Sequence, residues 1–113
     1  MPSDNDRLTD AEQCALLAVW RLGDDAYGAN IRDEIGHHTG RRLSISAVYV
    51  TLVRLDKRGL VQSQLAAPTA VRGGKGKRHF RILPAGVEAL KRARATLDGL
   101  WEGLEATTEW KRG

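Results

Sequence analysis

The sequence predicts an α+β fold, mostly α, from three observations. Apolar residues recur at helical spacing over residues 9–58, the period shortens to two after Gly59, and a helical pattern returns at Pro84. One globular unit accommodates all of it, since the chain has 113 residues of which 42% are apolar and 28% charged. The expected organisation is a flexible N-terminus over 1–8, a body over 9–83, a C-terminal helix over 84–109 and a tail over 110–113. No apolar run approaches the roughly 18 to 20 residues that a bilayer requires; the run from Ala15 to Trp20 stops at Arg21. The N-terminus carries acids and amides where a secretory signal would carry basic residues and then an apolar stretch, so the chain reads as cytoplasmic and not membrane-bound.

The elements follow in order. Thr9 with Glu12 three residues later forms a capping box for a first helix, whose apolar side is Leu16, Leu17, Val19, Trp20 and Leu22 up to Gly23. Cys14 sits among Ala11, Ala15, Leu16 and Leu17 and reads as a small buried hydrophobe without the cationic neighbourhood of a reactive thiol. Asp24-Asp25 is expected to open a second helix with Tyr27, Ile31 and Ile35 as its stripe, ending near Thr39-Gly40. After the connector Arg41-Arg42-Leu43, Ser44 caps a third helix in which Ile45, Val48, Leu52 and Leu55 share one buried face. Gly59 supplies its left-handed end.

Leu60 to Leu65 then alternates, with Val61, Ser63 and Leu65 on one side and Gln62 and Gln64 on the other. Lys77 to Leu83 forms the second strand, with Phe80 and Ile82 inward and Lys77, His79 and Arg81 outward. Between them, Gly73-Gly74-Lys75-Gly76 marks a glycine-rich basic hairpin tip. Pro84 restarts a helix expected to reach Glu109, along which Leu90, Leu97 and Leu104 repeat every seven residues with Val87 and Trp101 on the companion position. Such a seam on so small a domain calls for cover, and homodimerisation through Val87, Leu90, Leu97, Leu100, Trp101 and Leu104 is the expected means.

Charge is distributed unevenly. Residues 1–40 hold three basic and eight acidic side chains, residues 41–81 hold ten and one, and residues 82–113 hold five of each. A segment at +9 whose only acid is Asp56 repels itself unless a polyanion is its partner. Three helices followed by a hairpin with a basic tip is the order of a winged helix-turn-helix, and the basic segment contains its third helix and its wing. Double-stranded DNA is the expected partner.

Several pieces also match a family in order and spacing. Ala26-Tyr27-Gly28, then Ser44-Ile45-Ser46-Ala47-Val48-Tyr49, then Leu52-Val53-Arg54-Leu55 with Arg58-Gly59-Leu60-Val61, then Arg72-Gly73-Gly74 and Arg78-His79-Phe80, then Pro84-Ala85-Gly86-Val87-Glu88-Ala89-Leu90, resemble the PadR family of bacterial transcriptional regulators over about residues 9 to 105. The resemblance implies a homodimeric winged-helix DNA-binding protein, usually a repressor, with a C-terminal dimerisation helix and often a small effector bound between protomers. The chain departs from the family pattern at Leu83, where a threonine cap is common, and at Phe80, where a tyrosine is usual. The missing cap costs roughly 1 kcal/mol of helix-end stability.

Candidate contacts follow from the buried stripe of the third helix. Its opposite face carries Ser46, Ala47, Val50, Arg54 and Lys57. Ser44 and Ser46 at the helix N-terminus suit a phosphate, Ala47 and Val50 suit thymine methyl groups, and Arg54 suits a phosphate or a guanine edge. Tyr49 and Tyr27 serve either phosphate contact or packing. On the wing, Arg72, Lys75, Lys77 and Arg78 flank glycines that permit close approach. Trp20, Leu97 and Trp101 are the candidates for an effector cavity between protomers, since aromatic walls suit planar apolar ligands.

Two rivals are weighed. An enzyme is disfavoured, because adjacent His37 and His38 diverge on a helix, no Cys or acid cluster has zinc spacing, and Gly76-Lys77 lacks the flanking residues of a phosphate-binding loop. No cofactor or metal is expected. A winged helix serving protein contacts, without its own operator, is the second rival, and the basic groove face argues against it unless that partner is acidic.

Overall fold

A computed structural model of the chain describes residues 7–65 and 78–104. Helix α1 (Asp10–Leu22) begins with the expected capping box: the Thr9 hydroxyl accepts the Glu12 N–H at 3.1 Å, and the Glu12 carboxylate accepts the Thr9 N–H at 2.8 Å. The second helix begins later than its acids imply. Gly23–Asp25 form a 3-10 turn, and α2 spans Gly28–Thr39 with Tyr27 as its extended N-cap residue. Tyr27 is held out of the helix because it bridges His79 in antiparallel fashion, while the Phe80 N–H donates to the Ala26 carbonyl at 2.9 Å. Ile31 and Ile35 remain in the core and Tyr27 leaves the stripe.

Helix α3 (Ile45–Lys57) is capped by Ser44, whose hydroxyl oxygen accepts the Ala47 N–H at 3.0 Å. Val48, Leu52 and Leu55 are buried, and Gly59 turns the chain at φ +75°. Strand β1 (Val61–Leu65) then pairs antiparallel with β2 (Arg78–Ile82) in the register Val61↔Ile82, Ser63↔Phe80, Leu65↔Arg78. Val61 and Phe80 join the core, but Leu65 is 60% exposed. The inward face of the hairpin runs past the end of the core after Phe80, so the expected burial of Leu65 is lost. Lys77, like Ala66 to Gly76, lies outside the described residues.

Helix α4 (Pro84–Trp101) packs its first turns on the body through Gly86, Ala89 and Leu90. Two expectations are corrected here. Leu90 is consumed by the chain's own core with Leu16, Leu60 and Phe80, so it is not part of an open seam. The helix also stops at Trp101: Glu102 has ψ 128° and Gly103 a φ of +85°, so Leu104 follows a turn and leaves the heptad. Positions up to Glu109 lie beyond the described residues.

One ionic contact joins the first and third helices. Glu12 is buried at 1% exposure, and its carboxylate receives Arg58 Nη1 at 3.0 Å. Arg58 also donates to the Arg7 carbonyl at 3.3 Å. Burial opposes ionisation of Glu12, but the Thr9 backbone N–H and the Arg58 guanidinium outweigh it and hold the carboxyl below its ordinary value.

Candidate nucleic-acid interface

With its stripe committed to the core, α3 presents Ser46, Ala47, Val50, Arg54 and Lys57 to solvent. Val50 is 58% exposed. Val53 is exposed on the same helix as well, just outside the arc opposite the stripe, where periodicity alone does not point to it. Arg54 and Lys57 form no ion pair with any carboxylate among the described residues, so their charge is open to a partner. At the helix N-terminus, the Ser44 oxygen is occupied by Ala47, which leaves its O–H proton to donate.

The two tyrosines are placed by packing. Tyr49 is half-buried with its ring 6.2 Å from that of Phe80 and pressed on Gly28. Tyr27 meets His79 edge-to-face at 5.3 Å, and His79 Nε2 lies 3.2 Å from the Gly23 carbonyl. These contacts fasten the root of the hairpin to the start of α2. Of the wing cations, Arg78 is described and exposed, and its Nη1 donates to the Ser63 hydroxyl at 3.1 Å. Arg72, Lys75 and Lys77 lie outside the described residues.

The remaining candidates separate into two places. Leu97, Leu100 and Trp101 are exposed along the distal half of α4, Leu100 at 74%, and Val87 is half-buried. Trp20 is exposed on α1. An open groove of about 390 Å³ between the N-terminal segment with α1 and α4 is lined by Arg7, Leu8, Gln13, Arg92, Thr96 and Leu97 among others. Leu97 belongs to it, and neither Trp20 nor Trp101 lines it. The cysteine is also corrected. Arg41 Nη1 lies 3.9 Å from Cys14 Sγ, so a cation is present, yet burial first and the Asp10 charge second raise the thiol pKa against the pull of Arg41. Arg41 is itself paired with Asp10.

Among the described residues no group of three His, Cys, Asp or Glu is arranged to hold a metal ion, and no helix is long and apolar enough to cross a membrane. The sequence profile of the transcriptional regulator PadR-like family matches residues 16–92, from the middle of α1 through the first half of α4. The chain belongs to the PadR-like family of transcriptional regulators. The match covers α3 and the hairpin strands, so the mostly helical winged fold is that of a PadR-like DNA-binding transcriptional regulator, not an enzyme.

Solved structures agree on the fold. A PadR-like transcriptional regulator from Bacillus cereus superposes with a TM-score of 0.66 at 19% identity, covering 88% of this chain and 92% of that one. A PadR family regulator from Eggerthella lenta gives 0.63 at 20%, covering 89% and 87%. A transcriptional regulator from Clostridium thermocellum gives 0.64 at 19%, covering 88% and 90%. No curated protein matches the chain in sequence.

Proposed function

We propose that this PadR-like regulator acts in the cytoplasm as a homodimeric repressor that reads a pseudo-palindromic operator with two copies of α3. The observation that carries the reading is the unpaired cationic and apolar surface of α3, with Arg54 and Lys57 beside Ala47 and Val50. Arginine and lysine supply sequence-independent attraction to phosphates, while a small apolar patch between them suits thymine methyl groups. Ser44 and Ser46 at the helix start add hydroxyl donors for a phosphate, and Arg72, Lys75 and Lys77 extend the contact along the backbone. Tyr49 and Tyr27 orient these elements by packing.

Dimerisation rests on the exposed distal half of α4, with Leu97, Leu100, Trp101 and the turn residue Leu104 covered by a second copy together with Trp20 and Val87. A small aromatic or apolar effector seated between protomers against Trp20, Leu97 and Trp101 releases the DNA. Two α3 helices related by a two-fold axis then stand about 34 Å apart.

The test is fluorescence anisotropy with duplex from the chain's own upstream region and with a scrambled duplex, over roughly 50 to 300 mM salt. With about four phosphates neutralised per protomer, log K falls against log salt with a slope near −7. Tight and selective binding with that slope is expected. Absence of binding at low salt overturns the reading in favour of a protein-interaction module.

A further inference from the structure

The one acid of the basic segment, Asp56, has a definite use. It lies on the last turn of α3, and its Oδ2 accepts the Ser63 hydroxyl of β1 at 2.8 Å. The same hydroxyl oxygen accepts Arg78 Nη1 of β2 at 3.1 Å. The three groups form a polarised line: guanidinium donating to hydroxyl, hydroxyl donating to carboxylate. Each hydrogen bond strengthens the other, and both end on a full charge.

The strand register explains how the line arises. Ser63 faces Phe80, and Arg78 faces Leu65, so Arg78 reaches Ser63 on the diagonal across the hairpin. Val61, Ser63, Leu65, Phe80 and Ile82 share a face with Arg78. Its buried part ends at Phe80, and Ser63 opposite it carries the contact to Asp56 of α3, with Arg78 behind Ser63.

We propose that Asp56, Ser63 and Arg78 are positioning residues that clamp the root of the wing to the C-terminal end of the recognition helix. The inference rests on the DNA-binding reading above and gives Arg78 the Ser63 hydroxyl as its partner in place of a phosphate. With the clamp made, α3 and the strands β1 and β2 dock on a duplex as one unit, and no ordering of these strands relative to the helix has to be met on binding. The clamp also accounts for the acid itself. A carboxylate close to a surface that meets phosphates weakens binding by plain repulsion, and here it is turned toward β1, where it holds the hairpin strands to the helix.

The two accounts predict opposite signs. If Asp56 acts only through its charge, Asp56→Asn tightens binding to DNA and steepens its salt dependence. With the clamp, Asp56→Asn weakens binding about fivefold to tenfold, the worth of roughly one net hydrogen bond, although a negative charge has been removed. Ser63→Ala shows the same loss and Ser63→Thr, which keeps the hydroxyl and suits a strand, restores the affinity. Arg78→Ala weakens binding without changing the salt slope, and the double variant Asp56→Asn with Arg78→Ala is no weaker than the worse single one.

The experiment is anisotropy of these variants on the upstream-region duplex, with amide hydrogen exchange of the β1–β2 ladder measured on the same proteins without DNA. Faster exchange at Gln64 and His79, the hydrogen-bonded pair beside the clamp, is expected in Asp56→Asn. Tighter binding by Asp56→Asn, or a shallower slope in Arg78→Ala, overturns the clamp. If the unmodified protein binds no DNA, the DNA-binding reading fails by itself. Unchanged exchange at the two amides then overturns the clamp as well, and faster exchange upholds it as a link between wing and helix.

Discussion

Gly28 and the ring of Tyr49 are in direct contact: a Cβ on Gly28 would stand 2.7 Å from both Cζ and the hydroxyl oxygen of the tyrosine. The first residue of α2 therefore has no room for a side chain unless Tyr49 moves, and Tyr49 is in turn tilted against Phe80. Gly28→Ala is expected to lower stability by about 1 to 3 kcal/mol through overpacking, read as a fall in Tm. Tyr49→Phe removes only the hydroxyl and is expected to leave both stability and DNA affinity within about twofold. A larger loss of affinity in Tyr49→Phe would return that hydroxyl to the DNA contacts.

The Glu12–Arg58 pair makes acid the weak point of the fold. Its carboxyl pKa is depressed in the folded chain relative to an ordinary 4.5, so the stabilisation is fully present above that value and is lost as pH falls through the lower folded pKa. Chemical denaturation at a series of pH values below about 4.5 is expected to show this slope, and Glu12→Gln is expected to flatten it. Arg58→Met leaves a buried carboxylate without its cation and is expected to cost about 3 kcal/mol, the low end for a buried pair because the Arg58 side chain keeps 23% of its exposure.

What the sequence made legible here was periodicity and end chemistry. The stripe Val48, Leu52, Leu55, the capping box at Thr9, the Ser44 cap and the glycine stop at Gly59 depend on neighbours along the chain and are readable as such. What stayed hidden depends on partners far away in sequence. Asp24-Asp25 looked like a helix start because nothing local shows that Tyr27 is claimed by His79, 52 positions on. Glu12 read as a cap and is also a buried ion-pair partner, because Arg58 arrives from the end of another helix. Asp56 and Ser63 carried no signal at all beyond the oddity of a lone acid among ten cations. The heptad in α4 was real as a pattern, yet Leu90 was taken by the core and Gly103 turned Leu104 out of register.

That division of α4 gives a sharp contrast between two leucines. Leu100 is exposed and Leu90 buried on the same helix. Leu100→Ala with Trp101→Ala is expected to shift sedimentation from dimer to monomer while leaving the far-ultraviolet spectrum of the folded chain in place. Leu90→Ala is expected to destabilise the protomer itself, by about 2 to 5 kcal/mol for a buried leucine. A chain that remains dimeric with both distal residues truncated would place the interface elsewhere.

Arg54 and Val50 separate attraction from reading on the α3 surface. Neither is drawn into the core, and Arg54 has no carboxylate partner among the described residues. If Arg54 meets a phosphate, Arg54→Ala removes one contact from each protomer, so the salt slope becomes shallower by about 2 while the ratio of specific to scrambled binding stays constant. If it meets a guanine edge, the slope hardly moves and that ratio falls by roughly 1 to 3 kcal/mol. Val50→Ala carries no charge and is expected to leave the slope unchanged while lowering selectivity at an A·T position, since only a thymine methyl group rewards its side chain. Anisotropy over a salt series with single-position variants of the duplex resolves all three outcomes. A Val50→Ala protein with undiminished selectivity would move the apolar contact to Val53, its exposed neighbour on the same helix.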